Sequence, residues 1–166
     1  MNSHTRPGQL QSLGQSLAGA RLRKHADYLR TYAAARKRQS ASMSWFLAPQ
    51  TPRTLEPQIP DSPVTPELCL GPRVGLTVGK VLGKATQRNR IKRRMREALR
   101  RHVGLLPQGF DLIFHPRRIV LTMEFAQLEA EIVRILEQAT EQARTEAARA
   151  FKSPAAAHQA PSTPAP

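Results

Sequence analysis

The sequence predicts a single small α+β domain with helices packed on a short sheet. Three segments carry apolar residues at the 3.6-residue spacing of amphipathic helices, and they are residues 21–35, 85–102 and 123–148. Three shorter runs have the alternating or apolar character of strands, and they are residues 42–48, 73–79 and 110–115. A chain of 166 residues with 5% aromatic residues has room for one modest core and for tails.

The first helix and the strand after it are each predicted to have two distinct faces. The helix carries an apolar strip at helical spacing, formed by Leu22, Ala26, Leu29 and Ala33. Tyr28 and Tyr32 lie one turn apart on a neighbouring strip. In the strand, Ser44 and Phe46 point to one face, and the other face carries Met43, Trp45 and Leu47. The two tyrosines are expected to face Phe46, either as stacking surfaces for bases or as ordinary core aromatics.

Three segments fall outside the predicted helices and strands. Residues 1–20 lack periodicity and predict a flexible N-terminal arm, and the Ala- and Pro-rich residues 149–166 predict a disordered tail. Residues 49–72 hold seven prolines, each of which removes a backbone donor, so an exposed connector between strands is predicted there. The domain is therefore expected to span residues 21–148, with this connector inside it.

The formal charge of +14 predicts a polyanionic partner, because Lys and Arg gain affinity for phosphates by releasing condensed counterions. Residues 21–38 carry +6 and residues 73–118 carry +11, whereas residues 119–166 carry −2. Nucleic acid is favoured over a membrane, since the sequence lacks a run of about 20 apolar residues. No secretory signal is recognisable, so a cytoplasmic protein is expected, and the single cysteine, Cys69, is interpreted as an incidental thiol.

The stretch QRNRIKRRMREALRR, residues 87–101, concentrates eight cations around one acid, Glu97. On a helical wheel its predicted buried strip is formed by Ile91, Met95, Ala98 and His102. The opposite side and both flanks carry the cations, and seven of the eight are arginines, whose guanidinium groups pair with phosphate oxygens and stack on bases. Like charges one turn apart destabilise an isolated helix. The compensating negative charge is therefore expected from a partner.

Side chains suited to catalysis are scarce in the basic region, where Glu97 and Asp111 are the only acids between residues 73 and 118. A metal-dependent nuclease would need several converging carboxylates, and a metal-free one would need a positioned acid and base. The turn GKVLGKAT differs from a P-loop, because only three residues separate its glycines and Ala85 follows Lys84. The five histidines show no metal-ligand spacing, and they are His4, His25, His102, His115 and His158. No catalytic and no metal-binding residue is predicted.

The stretch VGLTVGKVLGKATQRNRIKRRMREALR resembles the signature region of the protein subunit of bacterial ribonuclease P. That signature joins a strand, a Gly-containing turn and an Arg-Asn-Arg core followed by Ile-Lys-Arg. The matching positions are Gly75, Lys80, Gly83, Arg88, Asn89, Arg90, Ile91, Lys92 and Arg93. Upstream, RLRKHADYLRTY resembles the opening helix of the family, and downstream GFDLIFHPR resembles its last strand. The resemblance covers about residues 20–140.

This resemblance implies a two-layer α/β sandwich of αβββαβα order with a left-handed crossover, like the second domain of ribosomal protein S5. It also implies an RNA-binding protein cofactor of the ribonuclease P ribozyme, which removes the 5′ leader from precursor tRNA. The RNA subunit would carry out the hydrolysis with Mg2+ bound mainly by the RNA, so the protein alone is not expected to be catalytic. The expected partners are the RNA subunit and precursor tRNA, with no membrane and no obligate protein partner.

The same resemblance assigns two sets of site residues. The first set would contact the RNA subunit and contains Arg88, Asn89, Arg90, Lys92 and Arg93, joined by Arg96 on the same outer face. The second set would line a cleft for the single-stranded leader and contains Tyr28, Tyr32, Phe46 and Lys80. Two departures from the family pattern are Val81, where a second cation is common, and AAAR at 33–36, which lacks a glycine. A structural RNA-binding protein of ribosomal type, without a leader cleft, remains the alternative, and a self-sufficient metal nuclease is a more distant one.

Overall fold

The computed structural model of the protein describes residues 17–50 and 71–152. Along this part of the chain the helices and strands are α1 (His25–Ala34), β1 (Lys37–Gln39), β2 (Met43–Pro49), β3 (Arg73–Leu76), α2 (Ala85–Arg101), β4 (Phe110–Pro116) and α3 (Phe125–Lys152). Their order is αβββαβα, as the resemblance implies. Most of the predicted arm, connector and tail lies outside the described residues. Residues 17–20 form a turn, and Ala20 is buried where its carbonyl accepts a hydrogen bond from β3.

The four strands form one mixed sheet in the order β1-β2-β4-β3. β2 lies between β1 and β4 and is antiparallel to both, whereas β3 and β4 are parallel. Because a parallel pair needs a long crossover connection, α2 lies between β3 and β4 in the chain. The left hand implied for this crossover stays a prediction. Sequence reasoning alone misses β1, since its three residues, KRQ, are all exposed and show no apolar alternation.

The main core lies between one face of the sheet and the two longer helices, α2 and α3. β2 contributes the predicted inward residues Met43, Trp45 and Leu47, which are at most 3% exposed. α3 contributes a buried strip at helical spacing, formed by Leu128, Ile132, Ile135, Leu136 and Ala139. The opposite face of the sheet is partly covered by α1, whose Tyr28 and Tyr32 contact Gly75 and Phe46. The α+β class predicted from the sequence is confirmed.

α1 turns a different face to the sheet from the one that its sequence predicts. The predicted apolar strip is solvent-exposed at Ala26, Leu29 and Ala33. Leu22 is buried but precedes the helix, which begins at His25. The buried side chains of α1 are instead those of Asp27 and Thr31. The apolar strip did not identify the buried side of α1, because the sheet face beneath this helix contains the buried carboxylate of Asp111, to which Thr31 donates a hydrogen bond.

α2 buries the predicted strip except at its last position. Ile91, Met95 and Ala98 are 0% exposed, and the fourth buried residue is Leu99. His102 was predicted to complete the strip, but the helix ends at Arg101. Residue 102 has φ −123° and ψ 26°, so the helical wheel no longer describes its direction. Its imidazole is partly exposed and lies 3.0 Å from a carboxylate oxygen of Glu129 on α3.

An ion-pair network joins α1 to the sheet. Arg73 on β3 donates Nε and Nη2 to the two carboxylate oxygens of Asp111 on β4, each at 2.7 Å. Asp27 on α1 lies 3.4 Å from Arg73 Nη1, and the Thr31 hydroxyl donates to Asp111 at 3.4 Å. Burial raises the pKa of Asp111, and the charge of Arg73 opposes that shift. These contacts seat α1 on the sheet and thereby position Tyr28 and the other aromatic residues described next.

Candidate nucleic-acid interface

The part of the α2 surface that is not packed on the core carries positive charge that the described chain leaves unneutralised. We call this surface the cationic face, and its cations are Arg88, Arg90, Lys92, Arg93 and Arg96, of which Arg88 and Lys92 flank the buried strip and are half-buried. Arg90, Arg93 and Arg96 are exposed, as is Asn89 between the first two cations. Among the described residues, no carboxylate lies within ion-pair distance of these five side chains. The face is therefore available to a polyanion.

The C-terminal end of α2 differs from the cationic face, because its arginines are already paired. Glu97 accepts hydrogen bonds from Arg100 at 2.8 Å and from Arg101 at 3.1 Å. These two guanidinium groups hold the pKa of Glu97 at about 2. Arg101 also lies 3.3 Å from Glu129 and places its guanidinium 4.9 Å from the centre of the Phe125 ring. The sequence pattern did not separate these paired arginines from the free ones.

Arg94 is a structural arginine, although it lies in the middle of the basic stretch. Its guanidinium donates to the carbonyl oxygens of Leu121 and Met123, in the segment that leads into α3. It is half-buried, and it holds the end of the 3₁₀ turn at Arg118–Leu121 against α2. We therefore exclude Arg94 from the cationic face.

The start of α2 is set by a glycine turn. Gly83 has φ 120°, a conformation that L side chains rarely adopt, and a Cβ there would collide with Oε1 of Gln87. That Oε1 accepts a hydrogen bond from the backbone N–H of Lys84 at 3.2 Å, which caps the first turn of the helix. Lys80 opens the short 3₁₀ turn Lys80–Leu82 before this glycine, and its side chain is exposed. The turn thus fixes where the cationic face begins.

Three rings on the α1 side of the sheet pack against one another, and we call them the aromatic cluster. Tyr32 lies edge-on to Phe46 with 5.1 Å between ring centroids, and edge-on to His115 at 5.4 Å. Phe46 and His115 are 5.0 Å apart. Tyr28 lies beside the cluster, 6.3 Å from Tyr32. All four side chains are half-buried. Since the rings are already in contact, a base would stack on their outer surface and not between them.

Tyr28 is held close to the edge strand β3 by the absence of a side chain at Gly75. A Cβ at Gly75 would lie 2.9 Å from Cε1 and from the hydroxyl oxygen of Tyr28. The Tyr28 hydroxyl accepts a hydrogen bond from the Leu76 N–H at 3.3 Å and donates to the Leu22 carbonyl at 3.5 Å. A small cavity at this edge is lined by both Tyr28 and Arg96. The aromatic residues and the cationic face therefore approach each other at the β3 edge.

A chain of hydrogen bonds joins the aromatic cluster to Thr77, the residue that follows β3. The Tyr32 hydroxyl lies 2.7 Å from His115 Nε2 and 2.9 Å from Thr77 Oγ1. Burial raises the pKa of Tyr32. Burial lowers the pKa of His115, and the nearby charge of Lys37 lowers it further. Both effects favour the neutral form of the imidazole.

The predicted leader-binding residues are brought together in part. Tyr28, Tyr32 and Phe46 share one surface, as expected, whereas Lys80 is in the turn before α2. Sequence reasoning did not assign His115 to this surface and treated it as an ordinary structural or surface histidine. The signal was available, because alternation along β4 places it on the face opposite to Leu112 and Phe114. β1 was also missed, and its register pairs Lys37 with Phe46.

The described part of the chain contains no helix long and apolar enough to cross a membrane. It also contains no group of three or more His, Cys, Asp or Glu side chains arranged to hold a metal ion. Neither finding bears on the remaining residues.

Comparison with known proteins gives a consistent result. A family model described as Ribonuclease P matches residues 18–140. A ribonuclease P protein component from Chloroflexus aggregans is 44% identical over 91 residues, which are 54% of this chain and 67% of that protein. One from Thermotoga maritima is 44% identical over 62 residues, covering 37% of this chain and 52% of that protein, so this match spans about half of the relative.

Two solved structures share the fold. The RNase P protein from Thermotoga maritima has a TM-score of 0.55 at 24% identity, with 71% of this chain and 96% of that chain covered. A Staphylococcus aureus RNase P protein mutant, described as defective in mRNA degradation activity, has a TM-score of 0.57 at 23% identity, with 74% and 89% covered. At these identities the likeness supports the α+β architecture alone.

Proposed function

Because the chain belongs to the ribonuclease P protein family, whose model matches residues 18–140, we propose that it is the RNA-binding protein cofactor of the ribonuclease P ribozyme. In this role it binds the RNA subunit and the 5′ leader of precursor tRNA, and it assists removal of that leader. The phosphodiester hydrolysis is carried out by the RNA subunit with Mg2+ bound mainly by the RNA. tRNA maturation places the protein in the cytoplasm.

The observation that carries the proposal is the cationic face of α2. Arg90 and Arg93 are exposed on a helix that is anchored to the core by its buried residues, whereas Arg88 is half-buried in the first turn of that helix. No described carboxylate competes for them. One guanidinium group can donate two parallel hydrogen bonds to the oxygens of a phosphate, and each phosphate contact releases a condensed counterion. We assign this face, together with Asn89 and Lys92, to the RNA subunit.

The aromatic cluster supports the second part of the proposal. Single-stranded nucleic acid exposes base faces that a duplex hides, and aromatic rings bind them at roughly 1–3 kcal/mol per base. Tyr28, Tyr32 and Phe46 offer half-exposed rings on one surface. A leader that lies along this surface would distinguish precursor from mature tRNA, which lacks that segment. We also assign Lys80, near the start of α2, as a contact to a phosphate of the leader.

The RNA-subunit assignment is tested with two matched double variants of the same helix. Arg88→Ala with Arg90→Ala removes two free cations, whereas Arg100→Ala with Arg101→Ala removes two that are paired with Glu97. Charged hydrogen bonds contribute about 1.5–3 kcal/mol each, so the first pair should weaken binding to the cognate RNA subunit at least tenfold. The second pair should have a much smaller effect. Equal losses would contradict the assignment.

The leader assignment is tested by replacing Tyr28, Tyr32 and Phe46 with alanine, one at a time. Affinity of the reconstituted holoenzyme should fall roughly fivefold or more for precursor tRNA and should be unchanged for mature tRNA. Thermal unfolding of each variant checks that the domain remains folded. An equal loss for both tRNAs would instead favour a structural RNA-binding protein of ribosomal type.

A further inference from the structure

His115 occupies a position in the aromatic cluster that a purely apolar stacking surface would not require. It is half-buried on β4, edge-on to Tyr32 and 5.0 Å from Phe46. An aliphatic or phenyl side chain would fill the same space without a desolvation cost for ring nitrogens. The imidazole thus brings hydrogen-bonding capacity to a surface suited to stacking bases.

The two ring nitrogens of His115 are in different situations. Nε2 lies 2.7 Å from the Tyr32 hydroxyl, which in turn lies 2.9 Å from Thr77 Oγ1. Nδ1 has no hydrogen-bond partner among residues 17–50 and 71–152, and it is not one of their buried unpaired polar atoms. Nδ1 therefore reaches the surface of the cluster. A neutral imidazole presents one donor and one acceptor, so Nδ1 offers a single group of one kind.

Whether Nδ1 is a donor or an acceptor depends on the direction of donation along the hydrogen-bond chain. If the Tyr32 hydroxyl donates to Nε2, then Nδ1 carries the proton and is a donor. If Nε2 donates to Tyr32, the hydroxyl donates to Thr77 and Nδ1 is an acceptor. In both arrangements the ring is held in place through Tyr32, and a base stacked on the cluster would bring its polar edge to Nδ1. One fixed polar group favours the bases with the complementary group at that edge.

Lys37 supplies a charge on the same side of the sheet. Its register partner is Phe46, so both side chains leave the sheet on the α1 side, and its charge is close enough to lower the pKa of His115. Lys37 is exposed, and no carboxylate of the described chain lies within ion-pair distance of it. The next residue, Arg38, points to the other side, with its guanidinium 5.5 Å from the centre of the Trp45 ring.

From this geometry we infer that His115 determines a nucleotide preference in the bound leader. Nδ1 hydrogen-bonds the edge of the base that stacks on Tyr32 and Phe46, and Lys37 binds the phosphate beside it. His115 is thus a specificity residue, Tyr32 and Thr77 position its ring, and Lys37 contributes affinity without regard to sequence. The inference rests on the proposed function, since it concerns a leader bound at the aromatic cluster.

The test uses the reconstituted holoenzyme and precursor tRNAs that carry each of the four nucleotides at each leader position in turn. The wild-type protein should favour one or two nucleotides at one position by about fivefold, the value of a single hydrogen bond. His115→Phe keeps a ring and removes the nitrogens, so it should abolish this preference while other positions are unaffected. His102→Gln, at the end of α2, is the matched control and should retain it.

Lys37→Ala provides a second, independent readout. It should lower the affinity for all leaders by the same factor and reduce the slope of log affinity against log salt by about 1, whereas Arg38→Ala should leave the precursor-to-mature affinity ratio unchanged. The inference is overturned if His115→Phe keeps the wild-type preference, or if the wild type has none while Tyr32→Ala still weakens precursor binding. In both cases the leader cleft itself stands. If Tyr32→Ala and Phe46→Ala leave the precursor-to-mature ratio unchanged, the proposed cleft fails as well.

Misfolding of the His115→Phe variant can be distinguished from a specific loss of base recognition. Misfolding would weaken all precursors together and lower the thermal unfolding temperature, and Lys37→Ala, on an exposed position, then decides the outcome. An unchanged salt slope in that variant counts against the inference.

Discussion

Gly75→Ala is a small substitution that should disturb the packing of α1 on the sheet, because Tyr28 of α1 lies against Gly75. The new Cβ would lie 2.9 Å from Tyr28 Cε1 and hydroxyl oxygen and 3.0 Å from Cζ, whereas carbon atoms in contact are normally about 3.5–4.0 Å apart. The ring would have to move by roughly 0.5–1 Å. The ring is held by hydrogen bonds to the Leu76 N–H and the Leu22 carbonyl, so this movement strains both. Overpacking of this kind costs about 1–3 kcal/mol.

A double-mutant cycle isolates that cost. Urea denaturation should show Gly75→Ala lowering the free energy of unfolding by about 1–3 kcal/mol in the wild type and by less than about 0.5 kcal/mol when Tyr28 is already alanine. Gly104→Ala is the control, since a Cβ at Gly104 meets nothing within 4 Å. In the holoenzyme, Gly75→Ala should weaken precursor binding and spare binding to the RNA subunit. Equal costs with and without Tyr28 would refute the proposed contact.

Three further predictions concern the charged groups. If six to eight phosphates are neutralised, a plot of log affinity for the RNA subunit against log salt should have a slope of about −4 to −7. Arg88→Ala with Arg90→Ala should make this slope shallower by about 2. An unchanged slope would mean that these two cations stay solvated. Arg73→Met removes the ion-pair partner of the buried carboxylate of Asp111 and should lower the free energy of unfolding by about 3–5 kcal/mol in urea denaturation. A cost below about 1 kcal/mol would contradict the network. Burial alone would raise the pKa of Glu131, but the hydrogen bonds that it accepts from Ser40 and Ser42 outweigh burial and lower this pKa. Its stabilisation is therefore complete above the unfolded pKa of 4.5 and is lost as pH falls through the lower folded value. Glu131→Gln should therefore destabilise the domain at pH 7 more than at pH 3 by thermal unfolding, and a constant difference would refute this.

The sequence predicts the parts of the fold in which one side of an element is apolar. The faces of β2 and the buried strip of α2 up to Ala98 follow from periodicity because the core selects apolar side chains at those positions. α1 could not be oriented in this way, since it meets Arg73 and Asp111, and pairing across the sheet decides its orientation. His102 was misplaced because a helical wheel holds only as far as the helix continues.

The candidate site was predictable where local sequence carries it and hidden where tertiary contacts do. The cationic stretch is visible in the sequence. Only the structure shows that Glu97 forms ion pairs with Arg100 and Arg101, and that Arg94 donates to the Leu121 carbonyl at the end of a 3₁₀ turn. His115 and Lys37 join the aromatic residues through strand register, which depends on partners far apart in the chain. Short polar strands such as β1 leave no periodic signal.

Cleavage of precursor tRNA with and without the cognate RNA subunit tests the central claim most directly. With Mg2+ and the RNA subunit, the protein should support specific removal of the 5′ leader and should strengthen precursor binding relative to mature tRNA. The protein alone with Mg2+ should leave the precursor intact. Specific 5′ cleavage by the protein alone, or an RNA subunit whose precursor binding is the same with and without the protein, would contradict the account.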